Sequence, residues 1–136
     1  MERLANAAQK TAQEVKNNDT IKEEEITYLL YALDGEKLNK QPFTDNYPQI
    51  EISVSDKLFT SYVVDGEIQT YLGKAPDPDM QIRLQDATLI KILSSQDPKL
   101  ELKEAIKSSF VGVTLYSDKT ELLLKGYLGL YDSLKG

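Results

Sequence analysis

Two residue types that most often carry chemistry are missing from this sequence, which has no histidine and no cysteine. Imidazole general bases, thiolate nucleophiles, disulfides and the commonest metal ligands are excluded together. Carboxylates, lysines and tyrosines remain. Asp77 and Asp79 flank Pro78 and could hold a cation with the help of backbone carbonyls, although turn chemistry also accounts for both. Glu23, Glu24 and Glu25 are consecutive, so on a helix they point in different directions, and a first-turn position against the helix dipole explains them without a metal. Lys99, Lys103 and Lys107 recur four apart on one helical face. They could meet an acyl carboxylate, a coenzyme A phosphate or a lipid headgroup, or form a solvated face with Glu101 and Glu104. Tyr127 and Tyr131 offer phenols that can line an apolar pocket and still bond a headgroup, or serve ordinary amphipathic packing. Gly126-Tyr127-Leu128-Gly129 lacks the Lys-Ser/Thr that a phosphate loop requires. No pair of these groups stands at a telling spacing, so the expectation is a protein without catalytic residues, metal or cofactor.

The elements that would position these groups follow from apolar periodicity. Ile50, Ile52 and Val54 alternate with polar residues. So do Leu58, Thr60, Tyr62 and Val64, then Ile68, Thr70 and Leu72, then Met80, Ile82 and Leu84. Alternation predicts strands with one apolar face. Asp56-Lys57 is read as the first connection and Asp65-Gly66 as a hairpin turn, since a type I′ turn needs positive φ at both central residues. Gly73 to Asp79 is a stiff loop containing Pro76 and Pro78. On the N-terminal side, Leu4, Ala8, Ala12 and Val15 mark an amphipathic helix over residues 2 to 16. Thr20 and Glu23 have capping-box spacing for a second helix that buries Ile26, Leu29, Leu30 and Leu33 and stops at Asp34-Gly35. Residues 36 to 48 form a polar connector, tucked onto the body by Phe43 and Tyr47.

C-terminal to the four strands, Asp86 is read as the cap of a helix carrying Leu89, Ile92 and Leu93. Asp97-Pro98 starts another, whose apolar face is Leu102, Ala105, Ile106 and Phe110. Residues 111 to 116 alternate as a strand would but stay ambiguous, and residues 120 to 125 are read as the last strand through Leu122, Leu123 and Leu124. A short terminal helix with Leu128, Tyr131 and Leu134 follows Gly126. The expected fold class is therefore α+β, a five-stranded, mainly antiparallel sheet covered on one face by helices. Residues 1 to 18 form a peripheral helix and residues 19 to 136 a single domain.

Composition narrows the partners. With 22 acidic against 16 basic residues, the net charge is −6, which disfavours nucleic acid and an anionic bilayer. No apolar run approaches the roughly 18 residues of a membrane span. Met1 to Lys10 lacks the apolar stretch of a secretory signal, so a cytoplasmic protein is expected.

The segments Ser61-Tyr62-Val63-Val64-Asp65-Gly66-Glu67-Ile68 and Pro76-Asp77-Pro78-Asp79-Met80-Gln81-Ile82-Arg83-Leu84 come before the helix at Asp86 to Leu93. Leu122-Leu123-Leu124-Lys125-Gly126 then leads into the terminal helix. Together these resemble the sterol-carrier-protein-2-like domain over roughly residues 48 to 136. The sequence departs from the family pattern where residues 113 to 121 separate Phe110 and Gly112 from the second glycine. The resemblance implies a carrier that holds fatty acids, acyl-CoAs, sterols or other long apolar ligands between sheet and C-terminal helices, sometimes as a module fused to an enzyme. Burying an acyl chain contributes about 0.8 kcal/mol per methylene and needs no reactive group.

The candidate ligand-binding wall is Tyr62, Val64, Met80, Ile82 and Leu84 from the sheet, with Ile92, Phe110, Leu128, Tyr131 and Leu134 from the helical part. The expected partner is an apolar small molecule or lipid, with transient contact to a membrane or an enzyme and a homodimer through the N-terminal helix as further expectations. The competing reading is an accessory module with a solid core, which docks a protein through its amphipathic helices and binds no ligand.

Overall fold

The hairpin signal at Asp65-Gly66 sets much of the architecture. Both residues take positive φ, 51° and 83°, and Val64 pairs with Glu67 across the turn. In a computed structural model that describes residues 21 to 127, the elements run as follows. Helix α1 (Glu23–Ala32) and a 3-10 turn (Gly35–Lys37) precede strands β1 (Gln49–Val54), β2 (Lys57–Val64), β3 (Glu67–Leu72) and β4 (Met80–Leu84). Helices α2 (Asp86–Ser94) and α3 (Pro98–Lys107), strand β5 (Val111–Leu115) and helix α4 (Lys119–Leu124) complete the order. The expected helix over residues 2 to 16, the terminal helix and the residues Thr20, Leu128, Tyr131 and Leu134 lie outside the described residues.

The strand order is β3-β2-β1-β4-β5. The β1–β2, β2–β3 and β4–β5 pairings are antiparallel and β1–β4 is parallel, giving a mixed, mainly antiparallel sheet. On one face Ile50, Ile52, Val54, Phe59, Val63, Met80, Ile82 and Leu84 are buried in one core with Ile26, Leu29, Leu30, Leu33, Leu89, Ile92, Leu93 and Leu102 of the helices.

Several local expectations are corrected. The helix-facing side of β2 carries Phe59, Ser61 and Val63, and not the series Leu58, Thr60, Tyr62, Val64. The two-residue connection, Ser55-Asp56 in place of Asp56-Lys57, pairs Val54 with Lys57 and Ile52 with Phe59. In a period of two, that register decides which parity is inside. Tyr62 and Val64 therefore sit half-buried on the opposite face.

Residues 119–124 are a helix. Asp118 Oδ1 accepts from the Glu121 amide at 2.8 Å, and of the three leucines only Leu122 is buried. The fifth strand is 111–115. Asp34, with φ 62°, takes the left-handed position after α1 in place of Gly35, whose Cβ, if it had one, would stand 2.9 Å from the Leu30 carbonyl. Helix α1 starts at Glu23 behind Lys22, two residues after the expected Thr20 cap. Gln85 and not Asp86 occupies the cap of α2, while Asp97 caps α3 as expected, accepting from the Leu100 amide with Pro98 at the first position. Phe43 is fully exposed and tucks nothing.

The opposite face of the sheet is less wet than alternation implies. The loop after β3 folds over it: Thr60 Oγ1 donates to the Gly73 carbonyl at 2.8 Å, and the Ala75 amide donates to Glu51 Oε2 at 3.0 Å. Glu51 also accepts from Gln81 Nε2 at 3.1 Å and is buried.

In α1, Glu23 and Glu24 are exposed but Glu25 is buried, and its Oε2 finds no hydrogen-bond donor. Burial, assisted by the nearby Glu24 charge, raises its carboxyl above the usual glutamate value. The folded state then holds the proton more tightly than the unfolded chain, so the penalty is absent in acid and grows as pH rises through the folded pKa. Glu25→Gln is expected to raise the thermal midpoint at neutral pH and leave it nearly unchanged near pH 4, which is below the ordinary glutamate pKa. Unfolding followed by circular dichroism at both pH values checks this.

Candidate functional site: a helix–helix cleft beside a sealed polar network

Asp79, at the start of β4, gathers polar groups that are distant in sequence. Its Oδ1 accepts from Lys125 Nζ at 2.7 Å and Ser117 Oγ at 2.8 Å. Its Oδ2 accepts from Tyr127 Oη at 2.8 Å and the Gln49 amide at 3.0 Å. Lys125 Nζ also donates to Asn46 Oδ1 at 3.0 Å and lies 3.3 Å from Glu121 Oε1. The Asp79 and Lys125 side chains are 1% and 0% exposed.

The chain reaches this arrangement because it turns at Gly126, two residues past the end of α4. Its φ of 85° reverses the backbone, and a Cβ there would stand 2.8 Å from Asn39 Oδ1. Asn39 fixes the same segment, its amide donating to the Lys125 carbonyl at 2.9 Å and its Nδ2 to the Leu124 carbonyl at 2.9 Å.

An aspartate beside a lysine and a tyrosine is a set that catalysis often uses. Here the four acceptor sites of Asp79 are all taken within the protein, and Lys125 donates to Asp79 and Asn46 and is ion-paired with Glu121. Burial, the Asp79 charge and the hydrogen bond to it hold the Tyr127 phenol well above its ordinary pKa, so its proton stays on oxygen. The arrangement ties the connector, β4, the end of β5 and α4 together. It also uses up Asp79, so the Asp77–Asp79 pair cannot share a cation, and no cluster of metal-ligating side chains forms among the described residues.

Among the described residues, an open concavity lies elsewhere, between α2 and α3. It has a volume of about 270 Å³, and Ile92 and Ala105 line it together with Ala87, Thr88 and Phe110. Lys91 and Glu101 face each other across its rim in an ion pair of 3.3 Å. Phe110 stands just past the end of α3 and is 66% exposed. Of the ten candidate wall residues, Phe110 and the core side chain Ile92 border this cleft, and Leu128, Tyr131 and Leu134 lie outside the described residues. Met80, Ile82 and Leu84 are core side chains, and Tyr62 and Val64 lie across the sheet. The lysine row is broken up, since Lys99 is ion-paired with Asp34. The Lys125–Asp79–Tyr127 constellation is what residue spacing did not reveal. The nearest signal was Lys125 beside a glycine, where a lone charge among leucines implies a buried partner.

No protein-family model and no curated protein matches the sequence. Among solved structures, the chain is similar to UbiJ-SCP2, described as a ubiquinone synthesis protein, at 14% identity over 78% of this chain and 76% of that one, with a TM-score of 0.44. It is similar to sterol carrier protein 2 like 2 from Aedes aegypti at 11% identity over 76% of this chain and 96% of that one, with a TM-score of 0.40. The sec-alkylsulfatase Pisa1 from Pseudomonas sp. aligns at 20% identity over 59% of this chain, with a TM-score of 0.41, and this chain spans 12% of its length.

Proposed function

We propose that the domain is a binding module that takes up the apolar end of a lipid-like molecule, without converting it, in the cleft between α2 and α3. The observation that carries this reading is the cleft itself: Ile92 and Ala105 between the two helices, exposed Ala87 and Phe110 at its mouth, and the polar residues Thr88, Lys91, Glu101, Glu104 and Ser108 around them. One titratable set of a kind that catalysis uses, Asp79, Lys125 and Tyr127, is paired within itself under the surface.

At about 270 Å³ the cleft falls just below the ~300–1,000 Å³ of sites that enclose a whole drug-sized molecule. It suits a ring or the end of an acyl chain. Six buried methylenes contribute about 5 kcal/mol, which corresponds to a dissociation constant of roughly 0.2 mM before the loss of rotational and translational freedom, so binding through the cleft alone is on the order of millimolar or weaker. Exchange at that affinity is fast, as a carrier needs.

Filling the cleft tests the proposal. Ala87 is exposed on α2, so Ala87→Phe places a ring in the opening without disturbing the core. The expected result is a loss of at least about tenfold in affinity for a fluorescent medium-chain fatty acid, the size of a missing 1.4 kcal/mol or more, with an unchanged thermal midpoint. Equal binding by the variant and the parent would place the ligand elsewhere, and no saturable binding by the parent would favour the solid-core interaction module.

A further inference from the structure

At about 270 Å³, the α2–α3 cleft is filled by a short apolar chain, so the polar end of its occupant emerges at the rim. Three charged side chains border the cleft, Lys91 from α2 with Glu101 and Glu104 from α3. The lysine is engaged, since Lys91 Nζ lies 3.3 Å from Glu101 Oε1. Glu104 is exposed and has no ion-pair partner among the described residues. The other lysines of α3, Lys99, Lys103 and Lys107, do not border the cleft.

The helix ends at the mouth do not offset this balance. The first turn of a helix attracts anions through its unpaired amides. In α2 that end already holds a carboxylate: the Ala87 amide donates to Asp86 Oδ1 at 2.8 Å, and the Asp86 amide donates to Ser55 Oγ at 3.1 Å. On the other side of the mouth α3 terminates at Ser108, and the carbonyl end of a helix favours a cation. Just beyond it stands the Phe110 ring, 66% exposed, and an aromatic face attracts cations.

We infer that the cleft selects amphiphiles with an ammonium head over those with a carboxylate head. This rests on the proposal that the cleft binds an apolar chain. An ammonium at the rim gains Glu104 and the Phe110 ring without breaking a contact. A carboxylate has only Lys91 to pair with, competes with Glu101 for it, and stands near the Glu104 charge. The net charge of −6 acts in the same direction at longer range.

The test titrates the full isotope-labelled chain with octylamine, octanol and octanoate at neutral pH and low salt, following the amide shifts of Ala87, Ile92 and Ala105. Octylammonium is expected to bind at least about threefold more tightly than octanoate, with octanol between them. Glu104→Lys, at an exposed position, is expected to reverse the order of the two ions and leave octanol within about twofold of the parent. Glu67→Lys, exposed at the β2–β3 hairpin, changes the net charge equally and is expected to keep the parent order. Octanol binding in the cleft together with octanoate as tight as octylammonium would overturn the inference and leave the binding cleft standing. An equal change of order in Glu67→Lys and Glu104→Lys would overturn it too, since the preference would then belong to the charge of the whole chain. The absence of saturable shifts at the three amides with all of these ligands would overturn the binding cleft itself.

Discussion

Replacing Asp79 with alanine is expected to destabilise the protein by about 3–5 kcal/mol, the cost of leaving one member of a buried ion pair without its partner. Lys125 would keep Asn46 and Glu121, but its ammonium would face the space left by the carboxylate that holds it at 2.7 Å. Tyr127 and Ser117 would lose their acceptor at the same time. Asp79→Asn/Lys125→Met removes both charges, and its cost is expected to be well below the sum of the two single changes, because neither charge is then left uncompensated. Urea unfolding of the parent, Asp79→Ala, the two single changes and the double variant measures both quantities. A loss below about 1 kcal/mol for Asp79→Ala, within the range of an ordinary surface substitution, would mean that water reaches the network.

The second large effect separates the two faces of β2. Phe59→Ala is expected to cost about 3–5 kcal/mol, as truncation of a fully buried aromatic does. Tyr62→Ala, on the far side of the sheet, is expected to cost about 1 kcal/mol. Tyr62 is half-buried there and makes an edge-to-face contact with Tyr71 at 6.0 Å between ring centres. Chemical denaturation of the two variants reads the register directly. A larger loss at Tyr62 than at Phe59 would invert the sheet face.

That contrast also shows what the residues made legible. Ile50, Ile52 and Val54, and Met80, Ile82 and Leu84, have apolar side chains at one parity only, so their inward face could be read without a structure. Lys57 to Val64 has apolar residues at both parities, and only the connection at Ser55-Asp56 chooses between them. Local chemistry was legible where one residue dictates it, as at Asp65-Gly66 and Asp97-Pro98. Helix α4 was misread because three consecutive leucines fit a buried strand as well as a short helix. The decisive signal was Asp118 three residues before Glu121, a capping pair with helical spacing.

The polar network was not legible, since Asp79 and Lys125 are 46 residues apart and no periodicity links them. The candidate wall raises a related difficulty. Apolarity marks a residue for burial, but whether a core side chain also borders a cleft, as Ile92 does, or not, as with Ile82, depends on how α2 and α3 diverge.

The most direct test of the central proposal is a titration of the isotope-labelled protein with lauric acid, followed by amide chemical shifts. Saturable shifts centred on Ala87, Thr88, Lys91, Ile92, Ala105 and Phe110 are predicted, with the far face of the sheet around Tyr62 and Val64 unmoved. Shifts confined to that far face, or none at millimolar ligand, would contradict a binding cleft between α2 and α3.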